Sequence, residues 1–244
     1  MGLLDWPGGL FAWLDRQADF LPPAFRLALW ALFGAVLSMA LYKAFSPQRR
    51  IAAAEAAARS ARQALDRFEG EFVDAWPLMR RSLAAALHRL ALVLPATLLA
   101  SLPLFAMILW LSTSYGYEAP SPGQPVPVLV TPPQYEGELL TTPSGAAPLA
   151  QGRVRVKDPA GVVVADIPLQ KPVPSVEKHR WWHLLIGNPA GYLPAEGAIE
   201  RIDLQLSPQQ YLPLGPGWLR GWELPFFTVL LLGSIAIKKF ARIA

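Results

Sequence analysis

Leu90–Gly116 runs for 27 residues without a charged side chain. A backbone placed in lipid must satisfy its own hydrogen bonds, and about 20 apolar residues in helical form cross a bilayer. This run therefore predicts a transmembrane helix, and the rest of the chain has to be arranged around it. Leu27–Tyr42 is a second run, 16 residues without a charge, and Ala24–Phe25 and Ala44–Phe45 extend it to spanning length. A third, Leu224–Ile237, has only 14 uncharged residues. It spans if Trp218, Leu219 and Trp222 carry it into the interface while Arg220 snorkels outward; the alternative is a buried or re-entrant helix. Lys238, Lys239 and Arg242 follow it as a stop-transfer flank does.

Composition agrees with a membrane chain. Charged residues are 16%, against roughly 25% in an ordinary soluble domain. There is no cysteine, which excludes disulfides, thiolate metal sites and thiol nucleophiles. The first run is not a cleaved signal peptide: Asp5, Asp15 and Asp19 precede it, no small-residue cleavage site follows, and its positive flank comes after it.

Charge then sets orientation. Residues 43–89 hold nine Lys/Arg and five acids, whereas 117–223 hold eight basic and ten acidic residues over more than twice the length. The positive-inside rule places the N-terminus outside, 43–89 in the cytoplasm, 117–223 outside and the C-terminus in the cytoplasm. The expected location is a bacterial inner membrane. Topology accounts for the arginines, so no specific nucleic-acid readout is expected.

The chain divides into an interfacial amphipathic segment (1–23), a first span (24–45), a cytoplasmic basic coiled-coil hairpin (46–89), a second span (90–116), an extracytoplasmic β-rich domain (117–216), a third span (217–237) and a cytoplasmic basic tail (238–244). In the hairpin, Ile51, Ala54, Ala58, Ala61, Leu65, Phe68, Phe72 and Ala75 alternate at 3–4 spacing over 47–76. Pro77 restarts a helix, and Met79, Leu83, Ala86, Leu90 and Val93 continue the seam into the second span. The alternative is one amphipathic helix lying on anionic lipid. Residues 2–23, with Trp6, Trp13 and Phe20, suit an amphipathic helix on the outer leaflet stopped by Pro22–Pro23, or one packed on the outer domain.

Residues 118–216 are rich in Pro and Gly, with short runs at Val126–Val130, Gly152–Lys157, Val162–Ile167, Trp181–Ile186 and Ile199–Leu206. Asp158-Pro159-Ala160-Gly161 reads as a hairpin turn. Four to six short strands predict a small antiparallel, β-sandwich-like domain.

Few residues suggest chemistry. His179 and His183 are four apart, but on a strand they lie about 13 Å from one another, and no third metal ligand is evident. Trp181 and Trp182 instead suit a lipid or partner interface. Arg220 and Glu223 form a helix-end ion pair or enter a polar cavity. Arg26 sits at the outer edge of the first span. Ser38, Tyr42, Thr97, Ser101, Thr228 and Ser234 are weakly polar groups inside the spans; they bond to backbone or neighbouring helices, or line a hydrated groove. Pro95 and Pro103 interrupt the hydrogen-bond ladder of the second span. No charge lies at mid-membrane, so no proton or ion path is indicated. No cofactor and no catalytic set is expected.

The basic hairpin beginning Ser46-Pro47-Gln48-Arg49-Arg50, followed by a second span carrying Leu102-Pro103-Leu104-Phe105-Ala106-Met107-Ile108-Leu109-Trp110 and then by a third span, resembles the YidC/Oxa-type membrane insertase superfamily. It is most like the small three-span members, among them the archaeal homologues and the insertase subunit of the ER membrane complex. The resemblance covers residues 24–116 and 217–244. It implies a non-enzymatic biogenesis factor whose hydrophilic groove, open to cytoplasm and lipid, receives hydrophobic client segments. The hairpin would meet ribosome or client first, and a short third span suits a thinned bilayer. The competing reading is a structural or assembly subunit of a larger membrane complex, docking through the β-domain and its Trp clusters.

Overall fold

The computed structural model describes residues 2–120, 124–140, 152–169, 171–213 and 215–241. Arg242 of the expected basic tail and part of the Pro-rich stretch 119–133 lie outside these. Five α-helices are formed among the described residues: α1 (Gly8–Gln17), α2 (Pro23–Phe45), α3 (Gln48–Asp66), α4 (Phe72–Tyr115) and α5 (Glu223–Ala241). Three of them, α2, α4 and α5, are long and apolar enough to cross a membrane. The third apolar run is therefore part of a helix of spanning length. The chain forms two compact units, Met1–Leu27 with Phe105–Phe226 and Ala28–Leu104 with Phe227–Ala244.

The second unit is helical. α2 stops at Phe45 because Ser46 precedes Pro47, whose ring disfavours helical geometry at the residue before it. α3 then starts at Gln48, and its seam is as expected: Ile51, Ala54 and Ala61 are buried, while Ala58, Leu65 and Phe68 are half-buried. The turn falls at residues 67–71, however, not at Trp76–Pro77, and Pro77 lies inside α4. Phe72 is accordingly exposed rather than a seam residue. The return arm is also rotated from the expected register. Leu78, Met79, Ser82 and Ala85 are half-buried, whereas Leu83, Leu87, Leu90 and Leu94 are exposed. Extending one 3–4 alternation through Pro77 put Leu83, Ala86 and Leu90 on the wrong face, since a helix with 3.6 residues per turn drifts from that pattern. Leu78, Met79, Ser82 and Ala85 thus face inward and a leucine stripe faces outward. Arg89 reaches Glu55 of α3 at 3.4 Å, linking the two arms of the hairpin.

The helices close on each other where side chains are small. Ala31 and Ala35 of α2 are fully buried, and Gly233 of α5 stands against Ala35 and Leu32. Beyond Phe226, which is fully buried, the residues of α5 are half-buried or exposed, and only 6% of its most apolar 18-residue window is buried.

The first unit holds six antiparallel strands: β1 (Val128–Thr131), β2 (Glu136–Leu140), β3 (Gly152–Lys157), β4 (Val163–Leu169), β5 (Ser175–Glu177) and β6 (Arg201–Leu204). They make one curled sheet in the order β4-β3-β2-β1-β6-β5, not two stacked sheets as a sandwich requires. β3 alternates as a half-buried strand should: Val154 and Val156 are fully buried while Arg153 is exposed. Val154 pairs with Ile167, and Val130 pairs with Ile202, bringing their side chains into the core with Val176, Leu193 and Leu204. On the other face Arg153 Nε donates to Asp166 Oδ1 at 2.8 Å, holding the Asp166 carboxyl below the usual carboxylate range. The expected hairpin turn is present: the Asp158 carboxylate accepts from the Ala160 and Val162 backbone N–H groups at 2.9 and 2.8 Å.

Trp181–Ile186 is not a strand. Trp181–Leu184 is a 3-10 turn started by Arg180, whose backbone N–H donates to His183 Nδ1 at 2.7 Å. The N-terminal helix packs on protein through one face only: Phe11 is buried with its ring 5.8 Å from that of Trp110, while Trp6, Leu10 and Trp13 remain exposed.

Candidate functional site

Helical spacing builds a groove in the helical unit. Residues four apart share a face; Ser38 and Tyr42 do so on α2, Thr97 and Ser101 on α4, and Leu230, Ser234 and Lys238 on α5. These seven, with Met39, Val93, Ala100 and Leu104, line a cavity of about 380 Å³. Five of the six expected groove residues therefore meet at one place. The sixth, Thr228, is exposed elsewhere on α5, because the face defined by Leu230, Ser234 and Lys238 does not include it.

The groove is mostly apolar with a polar seam. Three of its hydroxyls donate back to their own helices: Ser38 to the Ala35 carbonyl at 3.3 Å, Thr97 to Val93 at 3.0 Å and Ser101 to Leu98 at 2.8 Å. Backbone bonding and groove lining are thus compatible: the proton is used internally and the oxygen lone pairs still face the cavity. Pro95 and Pro103 lie inside α4 on either side of Thr97 and Ser101, and their missing N–H groups leave the carbonyls four residues earlier without an intrahelical donor. Lys238 supplies the one cation of the lining.

A second polar cluster, in the other unit, centres on Arg26. Its guanidinium lies 3.2 Å from Asp15 Oδ2 and 2.5 Å from Asp19 Oδ1, and its Cζ is 5.8 Å from the centre of the Tyr115 ring. The Tyr115 hydroxyl donates to the other Asp15 oxygen, and the Tyr211 hydroxyl donates to the Tyr115 carbonyl at 3.1 Å. Lys171 donates to Ser114 Oγ at 3.0 Å with its ammonium over Trp110. Burial raises the Tyr211 hydroxyl above its ordinary range and lowers the Lys171 ammonium below its own, against the pull of Asp15. Arg26 is thus held by side chains of this unit. Asp15, Tyr115, Lys171 and Tyr211 were not singled out from sequence. The available signal was an arginine next to a span with two acids within eleven residues of it.

The His179 and His183 rings are 5.5 Å apart, close because the segment is a turn rather than an extended strand. His183 is buried, its Nδ1 accepts from Arg180, and its Nε2 lies 3.3 Å from Glu177 Oε1, so both nitrogens are engaged. Tyr192 packs against both rings. No group of three metal-ligating side chains occurs among the described residues. Trp181 is exposed and Trp182 half-buried beneath the Arg180 guanidinium.

Arg220 and Glu223 do not pair. Arg220 Nε donates to the Gly215 carbonyl at 2.7 Å, while Glu223 opens the first turn of α5, where its charge suits the helix dipole. Glu223, Trp218 and Trp222 border a wide cavity of about 650 Å³ with Ser112, Thr113 and Tyr117. No protein-family model, curated protein or solved structure matches the chain, which leaves this geometry as the ground for a functional reading.

Proposed function

We propose that this chain is a non-enzymatic membrane-protein biogenesis factor, insertase- or chaperone-like, in which the groove of Ser38, Tyr42, Thr97, Ser101 and Ser234 receives hydrophobic client segments. The observation that carries the reading is the convergence of these hydroxyls from three apolar helices on one cavity. A polar seam in lipid is costly unless water or another chain meets it. A client helix with a few polar groups gains there what it lacks in pure hydrocarbon. The low burial of α5 supports the same reading, since little protein covers its outer side.

In this reading the chain lies in a bacterial inner membrane with its N-terminus outside. The arginine-bearing arms of α3 and α4 face the cytoplasm, where they meet client or ribosome, and the β-sheet unit faces outward. No cofactor takes part. The exposed residues of α5 and the leucine stripe Leu83, Leu87, Leu90 and Leu94 equally suit a fixed neighbour in a larger membrane complex.

Photocrosslinkers placed at Ser38, Ser101 and Ser234 in cells separate the two. Capture of many short-lived nascent chains is the expected result. Capture of a single stoichiometric subunit from all three positions overturns the client reading in favour of the assembly subunit.

A further inference from the structure

Two exposed apolar segments of the β-sheet unit, distant in sequence, are joined backbone to backbone. The Leu4 N–H donates to the Leu185 carbonyl at 3.0 Å, and the Gly187 N–H donates to Asp5 Oδ2 at 2.6 Å. Gly2 completes the joint: a Cβ there would stand 2.6 Å from both Gly187 N and the Leu185 carbonyl oxygen, so only glycine permits the approach. The side chains flanking this joint are not buried by it. Leu3 is 71% exposed, Trp6 85%, Trp181 73% and Leu184 67%, and Ile186 is exposed beside them. These exposed apolar side chains flank one joint, and Arg180 adjoins Trp181 in the chain.

The position of the joint in the chain indicates what covers it. α1 ends at Gln17 and α2 starts at Pro23, so only five residues separate the N-terminal helix from the first span. Even fully extended, they reach roughly 20 Å. The same unit contains the last turns of α4 and the first residues of α5, so three spans start or finish within it. A set of exposed Trp, Leu and Ile side chains, tethered this closely to a span, matches the headgroup–acyl boundary, where tryptophan is enriched.

We propose that residues 2–20 and the Trp181–Ile186 turn form one lipid-seated foot, through which the β-sheet unit rests on the outer leaflet of the phospholipid bilayer. The foot is independent of the groove and its clients. Gly2 and Asp5 act as positioning residues, fixing the turn to the N-terminal segment so that Leu3 and Leu184 enter the leaflet together.

The chain has no cysteine, so single-site labels report without background. Leu3→Cys, Leu184→Cys and Val164→Cys are each coupled to an environment-sensitive fluorophore and reconstituted in phospholipid nanodiscs carrying acyl-chain spin labels. All three positions are exposed, so the substitutions remove no packing. The expected result is loss of emission by lipid-borne quencher at Leu3 and Leu184, and quenching only by aqueous iodide at Val164 on β4. Iodide quenching of Leu184 equal to that of Val164 overturns the proposal. So does a Leu184 label protected from both quenchers, which signifies a protein covering the turn. Gly2→Val in the Leu184→Cys background is expected to restore iodide access at Leu184; unchanged lipid quenching overturns the role of the joint.

Discussion

Gly233 of α5 meets Ala35 of α2 closely: a Cβ on Gly233 would lie 3.3 Å from the Ala35 methyl and equally close to Leu32 Cδ2, so a larger side chain must push them apart. Ala35 is fully buried. Gly233→Leu is expected to cost about 1–3 kcal/mol by overpacking. Gly9→Ala, where an added methyl meets nothing within 4 Å, is expected to gain up to about 1 kcal/mol from helix propensity. Thermal unfolding of the detergent-solubilised protein measures both. Equal effects would mean that α5 does not approach α2 in this way.

The Arg26 cluster makes an ordered series. The Arg26 and Asp15 side chains are only 18% and 16% exposed, whereas Asp19 is 62% exposed. Removing one member of a buried pair costs several kcal/mol because the other charge is stranded; an exposed pair is worth about 0–1 kcal/mol. Arg26→Leu is expected to lose roughly 2–4 kcal/mol, near the low end of the buried range. Adding Asp15→Asn should recover part of that loss, and Asp19→Asn alone should change little. Denaturation midpoints for the cycle decide it; strict additivity of Arg26→Leu and Asp15→Asn would count against the contact.

Lys171 gives a pH dependence with a definite sign. Its folded pKa is depressed by burial below the ordinary 10.5. In the window between the folded value and 10.5 the unfolded chain binds the proton and the folded chain releases it, so stability rises with pH there. Below that window Lys171 is charged in both states and the cost of its burial is constant. Lys171→Met is expected to flatten this rise, seen as the difference between the two unfolding profiles through the alkaline limb. Identical slopes for the two proteins would remove Lys171 as the source.

Orientation is open to direct chemical test because the native chain lacks thiols. With Ala56→Cys on α3 and Val164→Cys on β4, an impermeant maleimide added to intact cells should label only Val164→Cys. Ala56→Cys should react after permeabilisation. Labelling of both positions from one side would invalidate the topology on which the proposed function stands.

Membrane-spanning length was legible because charge-free runs are counted directly, and α2, α4 and α5 follow them. Groove residues were legible for a related reason: a hydroxyl inside an apolar run stands out, and four-residue spacing puts Ser38 with Tyr42 and Thr97 with Ser101. Thr228 shows the limit, since hydroxyl chemistry does not say how a helix is rotated about its axis. The turn between α3 and α4 was misplaced because Phe72 and Ala75 fit the seam spacing equally well on either side of it. β5 and β2 were missed because three residues of Ser-Val-Glu and a strand of Glu-Gly-Glu-Leu-Leu carry little alternation; only pairing with β6, β1 and β3 makes them strands. Trp181–Ile186 looked extended by composition, but the His183 N–H donates to the Arg180 carbonyl and closes it into a turn. Asp15 and Tyr115 are 100 positions apart in the chain, and nothing local announces their meeting.

α4 is one helix of 44 residues. At roughly 1.5 Å per residue it measures about 66 Å, more than twice the roughly 30 Å of hydrocarbon in a bilayer. Such a rod is stiff except where its ladder lacks a rung, and in α4 those places are Pro77, Pro95 and Pro103. Bending strain along the rod therefore concentrates at three joints. Two of them bracket Thr97 and Ser101, so a bend at either joint shifts the wall of the cavity those residues line.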